Sequence, residues 1–303
     1  MSHHPLSNAA VDQQRRRLLK TCGAVCGSAA AFAYSGVAFS AASRPEQSSK
    51  AQAKSPAVGL QLYTVRELME KSVADTLKLV AGVGYQQVEF AGYFNESAKR
   101  IRALLSAEGL TAPSAHISLE QLQNNLDKVI EDALIVGHQY LVLPYLLEDQ
   151  RGRDIAAYQR LAADLNKFGE RCKQAGLHMA YHNHAFEFEA VTGGIPYDTL
   201  LGETDPALVS MELDLYWTVK AGLDPVALFK KHPGRFALWH VKDMDTSGNF
   251  ADVGKGVIDF KSIFANSATA GVKHQFVERD QTSNKVATIS QGFQAVSGLL
   301  KAK

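Results

Sequence analysis

Ionisable residues recur along the chain, each time at or just after a short apolar run. They are Glu89, His116, His182 with His184, Glu212 with Asp214, His240 with Lys242, and Glu278 with Arg279. Residues two apart on a strand face the same side, so His182 and His184 share a face. Burying such groups is costly unless they are paired or bind a metal. The mixture of imidazoles and carboxylates suits Mn²⁺, Co²⁺, Fe²⁺, Ni²⁺ or Zn²⁺ better than Ca²⁺.

Each of these residues also has a purely structural interpretation. A single glutamate at a strand end, such as Glu89, commonly pairs with a neighbouring basic residue. His116 is equally explained as a hydrogen-bonded core histidine, and Lys242 as the partner of Asp243 or Asp245. As a set, however, the strand-end groups favour a metal site.

The apolar runs predict the elements that must position these groups. The runs are Val58–Tyr63, Gln87–Phe90, Ala112–Ile117, Tyr140–Leu143, His178–His182, Leu208–Leu215, Phe236–Val241 and His274–Val277. They start roughly 25 to 40 residues apart, which fits one strand, one helix and two loops. Apolar residues at helical spacing lie between them, as in Leu122 to Leu134 before Gly137 and Leu161 to Phe168 before Gly176. Eight such units predict an α/β fold of the (β/α)8 TIM-barrel type. The alternative is an open doubly wound sheet, but no Gly-x-Gly-x-x-Gly turn follows the first strand.

Four segments carry a resemblance to a known family. They are Tyr181-His182-Asn183-His184, Glu212-Leu213-Asp214, Trp239-His240-Val241-Lys242-Asp243 and Phe276-Val277-Glu278. From about Val58 to Glu278 the chain resembles the xylose isomerase-like TIM barrels, the sugar phosphate isomerases and epimerases. The resemblance implies one divalent metal ion, with Mn, Co or Zn expected, held by His182, Asp214, His240 and Glu278.

The chain departs from the family pattern on the fifth strand. Many members carry Glu-Asn-His there, whereas this chain has His182-Asn183-His184. In the epimerases, glutamates of strands five and eight act as paired acid/base catalysts. The histidine leaves Glu278 as one catalyst, and the second base is open among Glu89, Glu187 and His184. Subgroups with Tyr-His-Asn-His resemble exported enzymes that act on 3-keto-glycosides.

The resemblance implies an enzyme that acts on a small-molecule sugar. We expect a metal-dependent isomerase or epimerase that abstracts a proton next to a carbonyl and stabilises an enediolate. The substrate-binding residues expected from their positions near strand ends are His184, Lys242, His116, Trp217 and Phe186. The alternatives are a lyase or hydrolase that eliminates from a 3-keto-glycoside, and a sugar-binding barrel that has no activity.

Composition and charge argue against nucleic acid as a partner. The chain has 303 residues, 46% hydrophobic and 21% charged, as expected for a globular protein with a sizeable core. Of its 32 basic and 31 acidic residues, four basic and one acidic residue lie in 1–43, which leaves 28 against 30. A slightly negative body is poorly suited to a phosphate backbone, which disfavours an endonuclease.

The first 43 residues are typical of an export signal. Arg15-Arg16-Arg17-Leu18-Leu19-Lys20 precedes a run, Thr21 to Ser43, without a charged residue. The run resembles a twin-arginine signal, and an ordinary membrane anchor is the alternative. We therefore expect a linker at 44–56, a barrel at 57–303, the twin-arginine export machinery as a partner and a periplasmic location, with retention at the inner membrane if the signal is uncleaved. A homodimer through the helical faces is left open.

Overall fold

The computed structural model describes residues 57–302, which contain ten strands with helices between most of them. The predicted export signal and linker lie outside the described residues. The strands are β1 (Gly59–Gln61), β2 (Gln87–Ala91), β3 (Thr111–His116), β4 (Tyr140–Leu143), β5 (His178–His182), β6 (Val209–Asp214), β7 (Leu238–Val241), β8 (Asp243–Met244), β9 (Phe250–Ala251) and β10 (His274–Val277). Within the described residues, no helix is long and apolar enough to cross a membrane.

Eight of these strands close into a parallel barrel in the order β1-β10-β7-β6-β5-β4-β3-β2. This confirms the predicted (β/α)8 fold. The strands β8 and β9 form a separate antiparallel hairpin after β7. The helices are Arg66–Met69, Val73–Val83, Ala98–Ala107, Leu119–Asn124, Leu126–Val136, Ile155–Gln174, Pro196–Glu203, Leu215–Lys220, Pro225–Lys231, Phe260–Ala265, Ser267–Ala270 and Lys285–Lys301, with 3-10 turns at Leu62–Val65 and Phe186–Phe188.

The predicted apolar runs differ from the observed barrel strands by no more than one or two residues at either end. One helix prediction was wrong, however. The stretch from Leu122 to Leu134 forms two helices, because Asn125 between them has a non-helical backbone (φ −137°, ψ 23°). The side chain of Leu134 is exposed, so the apolar spacing continues across a break without being buried throughout.

The apolar interior has two parts. A small cluster fills the amino-terminal part of the barrel: Tyr140, Val142, Ala180, Ala237, Leu238 and Phe276. The larger cluster packs the outer face of the strands against the helices. Because the interior cluster closes one end of the barrel, the polar residues of the strands are left at the carboxyl end, where barrel enzymes have their sites.

The loop after β9 is held by a single buried carboxylate. Asp243 Oδ2 accepts hydrogen bonds from the amides of Gly254 (2.9 Å) and Gly256 (2.8 Å). Its Oδ1 accepts from the amides of Met244 (2.8 Å) and Ile258 (3.3 Å). Four amide donors on one carboxylate fix this loop beside the mouth of the barrel.

Candidate metal centre and cavity

A cavity of about 520 Å³ opens at the carboxyl end of the barrel. Its walls are formed by residues at or just beyond the ends of the strands: Tyr63, Ala91, Gly92, His116, Ser118, Gln121, Pro144, Tyr145, His182, His184, Lys242, Glu278 and Asp280. This is the position that the barrel fold predicts for functional groups.

Four ionisable side chains from four strand ends meet at the base of this cavity, and we call them the upper cluster: His182, Asp214, His240 and Glu278. His182 and Glu278 line the cavity, and Asp214 and His240 are buried behind them. One ligand atom of each lies within 4.8 Å of the other three. His182 Nε2 is 3.3 Å from Asp214 Oδ2, and His240 Nδ1 is 2.8 Å from Glu278 Oε2. The structure therefore brings together the four residues predicted as ligands.

Local hydrogen bonds orient two members of the upper cluster. The contact of His182 Nδ1 with the carbonyl oxygen of Pro144 (2.9 Å) turns Nε2 towards Asp214. Asp214 ends β6 and caps the following helix, since its Oδ1 accepts from the Trp217 amide at 2.9 Å. Its Oδ2 is left to face the cluster. Partners of this kind typically fix the orientation of metal ligands.

The donor set fits a divalent metal ion. It offers two imidazole nitrogens and two carboxylate oxygens, which suit Mn²⁺, Co²⁺ or Zn²⁺. Within the described residues, His240 Nδ1 and Glu278 Oε2 are buried without a well-formed hydrogen bond. Burial by itself would raise the pKa of Asp214, but Lys242 and His182 outweigh it and lower the pKa to about 2. Asp214 is therefore a carboxylate at neutral pH, as a ligand must be.

Lys242 places a buried ammonium group beside the upper cluster. Its Nζ lies 3.0 Å from Asp214 Oδ2, 2.8 Å from Glu278 Oε2 and 2.8 Å from Asp280 Oδ1. Burial opposes the charge, but these three carboxylates hold the pKa of Lys242 well above its ordinary value. The predicted substrate-binding Lys242 therefore borders the cavity as a fixed cation.

Asp280 is a cavity residue that the sequence analysis missed. It lies two positions after Glu278, and its side chain is 21% exposed. Burial and the charge of Glu278 raise its pKa. The rule that residues two apart share a face, applied beyond the strand end, would have identified it.

His184 lies among aromatic rings at one wall of the cavity. Its ring centroid is 4.8 Å from that of Tyr145 and 5.4 Å from that of Trp217, and its plane is nearly parallel to that of Phe186. Burial, with the charge of His182, lowers the pKa of His184 to about 2, so the imidazole is neutral. The predicted contacts Trp217 and Phe186 thus flank His184 and do not line the cavity themselves.

The structure does not place two of the predicted acid/base residues at the cavity. Glu187 is fully buried, where its Oε1 accepts from the Tyr181 hydroxyl and its Oε2 from the His184 amide, both at 2.8 Å. Both oxygens of Glu187, predicted as an acid/base residue, are thus engaged by the protein, and the side chain does not line the cavity. Glu89 is also fully buried, and it accepts from Gln61 Nε2 at 2.7 Å.

His116 and Glu212 connect the cavity floor to the barrel interior. His116 lines the cavity as predicted, and its Nε2 lies 3.0 Å from Glu212 Oε2. Burial opposes its charge, but Glu89 and Glu212 raise the pKa of His116 to about 9. Burial and the charge of Glu89 raise the pKa of Glu212 to about 7. The sequence indicated Glu212 only as a neighbour that shares a face with Asp214.

A closed parallel barrel with a His/Asp/His/Glu cluster at its carboxyl mouth defines a class of barrels built around a metal-type site. Residues 77–274 match the sequence pattern of the xylose isomerase-like TIM barrels, which is more than half of the chain. The chain belongs to this family.

Solved structures and curated relatives agree with this assignment. A sugar phosphate isomerase/epimerase from Parabacteroides distasonis is 26% identical and superposes with a TM-score of 0.69, over 79% of this chain and 97% of that one. The IOLI protein with a bound zinc atom has the same fold (TM-score 0.64, 13% identity, 81% of this chain and 98% of that one).

The curated relatives match over a shorter span. An inosose dehydratase of Lacticaseibacillus casei is 30% identical over 125 residues, which are 35% of this chain and 41% of the relative. The chain thus spans less than half the length of this relative.

Proposed function

We propose that this protein is a metal-dependent enzyme that removes a proton next to the carbonyl group of a keto-sugar or a related cyclic polyol ketone. The observation that carries the proposal is that the upper cluster, Lys242 and a cavity of substrate size lie together at the carboxyl end of the barrel. His182, Asp214, His240 and Glu278 would hold the divalent ion. Such an ion supplies Lewis-acid polarisation of a carbonyl group.

The side chains around the cavity have distinct roles in this proposal. Glu278 reaches the cavity and receives the proton from the carbon next to the carbonyl. Lys242 stabilises the negative charge that develops on oxygen, because its ammonium is already fixed and buried when the substrate arrives. His184, neutral and next to the cavity, donates a hydrogen bond to a substrate hydroxyl. Glu187 and the aromatic rings keep His184 in place.

The arrangement favours elimination over epimerisation among the possible outcomes. Epimerisation needs an acid and a base on opposite faces of the carbon. The carboxylates among the described cavity residues are Glu278 and Asp280, and both follow β10. The cavity residues from β5 and the segment after it are the imidazoles of His182 and His184. Elimination needs only one base, with a hydrogen-bond donor for the leaving group. One relative is named an inosose dehydratase, and a dehydratase eliminates water. Isomerisation or epimerisation stays the second candidate.

The test is product analysis with the metal-loaded full chain. The protein is loaded with Mn²⁺ or Co²⁺ and then incubated, in separate reactions, with an inosose, a 3-keto-glucoside and simple ketoses. The products are identified by proton NMR. An unsaturated ketone with release of water or of the C1 substituent supports elimination, whereas an epimer or an isomer supports the second candidate. Binding of a sugar by calorimetry without any product would contradict the proposal and indicate a sugar-binding barrel.

We also propose that residues 1–43 direct export through the twin-arginine machinery to the periplasm. The support is the sequence Arg15-Arg16 in front of an uncharged run. Cell fractionation tests this: the wild type is expected in the periplasmic or inner-membrane fraction. The double variant Arg15→Lys and Arg16→Lys is expected in the cytoplasm. An unchanged distribution of the variant would contradict it.

A further inference from the structure

A second group of ionisable side chains lies one layer deeper in the barrel than the upper cluster. We call Glu89, His116, Glu212 and His240 the lower cluster. Glu212 precedes Asp214 by two residues on β6, so it faces the same side from a deeper position. His240 belongs to both clusters, because its Nε2 faces Glu89 and its Nδ1 faces Glu278. Glu89, Glu212 and His240 have no accessible surface.

The ligand atoms of the lower cluster are spaced like those of a tetrahedral metal site. His240 Nε2 lies 2.7 Å from Glu89 Oε2 and 3.3 Å from Glu212 Oε2. His116 Nε2 lies 3.3 Å from Glu89 Oε2 and 3.0 Å from Glu212 Oε2. A tetrahedral ion with bonds of about 2.0–2.1 Å to nitrogen and oxygen separates its ligand atoms by about 3.3 Å. Three of the four distances lie within about 0.3 Å of that value, and the distance from His240 Nε2 to Glu89 Oε2 is shorter.

Hydrogen bonding accounts for only part of this arrangement. A protonated imidazole nitrogen carries one N–H, so the two Nε2 atoms supply two hydrogens for four close contacts. Glu212 Oε1 is buried and has no hydrogen-bond partner among the described residues. Glu89, by contrast, accepts hydrogen bonds from Gln61 and Ser114. Such bonds commonly orient a carboxylate that ligates a metal.

Lysine and arginine side chains compensate only part of the negative charge in and around the two clusters. The carboxylates here are the buried Glu89, Glu212, Asp214 and Glu278 and the partly exposed Asp280. Their one Lys or Arg ion-pair partner among residues 57–302 is Lys242, which contacts the last three and neither Glu89 nor Glu212. Glu89 and Glu212 face the imidazoles of His116 and His240, so their negative charge is compensated either by protons on these rings or by a bound cation. An uncompensated buried charge is costly, and one divalent ion in the lower cluster would offset the charges of both Glu89 and Glu212.

We propose that Glu89, His116, Glu212 and His240 form a second divalent-metal site, joined to the cavity site through the two nitrogens of His240. When both sites are filled, His240 is an imidazolate that has released both ring protons. The nitrogen and oxygen donors suit Zn²⁺, Co²⁺ or Mn²⁺. The proposal shares His240 with the proposed function but does not depend on the reaction catalysed.

The test measures metal stoichiometry and position in the full chain. The protein is stripped with a chelator, reloaded with Zn²⁺ or Co²⁺ and desalted, and the metal per chain is determined by mass spectrometry. Anomalous diffraction from crystals then locates each ion. The variants Glu212→Gln and Asp214→Asn form a matched pair, since both replace a fully buried carboxylate of β6 by an amide of the same size.

The wild type is expected to bind two ions, with anomalous peaks in both clusters. Glu212→Gln should lose the lower ion and keep the upper one, and Asp214→Asn should do the reverse. A wild type with a single peak in the upper cluster would overturn the second site and leave the proposed function intact. A wild type that binds no metal would overturn both. Because the wild-type map decides between these results, the test holds even if a variant fails to fold.

Discussion

The stability of the folded protein should depend on pH through Glu187, which is buried behind the cavity wall. Burial is the main reason that its pKa rises from 4.5 to about 7, and hydrogen bonds from Tyr181 and from the His184 amide offset only part of it. In the unfolded chain the carboxyl has its ordinary pKa. Between pH 4.5 and 7 the folded protein therefore holds a proton on Glu187 that the unfolded chain has lost.

The sign and size of the effect follow from this difference. Because the pKa is raised in the folded state, the contribution of Glu187 to the free energy of unfolding is fully present below pH 4.5. This contribution is lost as the pH rises through 7. At about 1.4 kcal/mol per pKa unit, the change from 4.5 to 7 amounts to about 3 kcal/mol. Glu187→Gln removes the titration and keeps an acceptor for the His184 amide and a donor for Tyr181.

The assay is urea unfolding of the wild type and of Glu187→Gln at several pH values from 4.5 to 8. Across this pH range, the free energy of unfolding of the variant should rise by about 3 kcal/mol relative to that of the wild type. Glu189→Gln is the control, because Glu189 is exposed and lies two residues further along the same segment. Parallel stability curves for the wild type and Glu187→Gln would refute the reasoning.

Three further outcomes are expected. Lys242→Met should lower kcat about a hundredfold and leave the metal content unchanged. The reason is that Lys242 stabilises charge on the substrate and is not a metal ligand. Loss of metal together with activity would contradict this role. Asp243→Asn should lower the free energy of unfolding by about 1–3 kcal/mol, since Asp243 accepts four amide hydrogen bonds; unchanged chemical denaturation would argue against it. Gly256→Ala should destabilise the protein, because a Cβ there overlaps the Met244 carbonyl and the Asp243 carboxylate, whereas Gly82→Ala, in a helix with open space, should be neutral or stabilising. Equal melting temperatures of the two alanine variants would count against this packing.

The barrel was predictable because its strands are short, apolar and regularly spaced. Parallel strands buried on both sides read as apolar runs, and the polar residue that ends each run marks the carboxyl mouth. The strand ends of a closed barrel converge, which brings the strand-end residues together, and the family resemblance selected His182, Asp214, His240 and Glu278 among them.

The sequence did not separate the layers inside the barrel. Alternation places Glu212 and Asp214 on one face, but only the folded barrel shows that Glu212 meets Glu89, His116 and His240 below the upper cluster. The role of Glu187 was also out of reach. Its partner Tyr181 points to the helical side of β5. Their contact depends on the 3-10 turn Phe186–Phe188, which is too short to show a regular spacing of apolar residues.

Exchange of a substrate proton with solvent tests the central claim most directly. The metal-loaded full chain is incubated in D₂O with a ketose, an inosose and a 3-keto-glucoside, and proton NMR follows the signal of the C–H next to the carbonyl. We predict that the wild type exchanges this proton on at least one of them, and that Glu278→Gln with its metal retained does not. No exchange by the metal-loaded wild type, or equal exchange by Glu278→Gln, would contradict proton removal by Glu278 at this site.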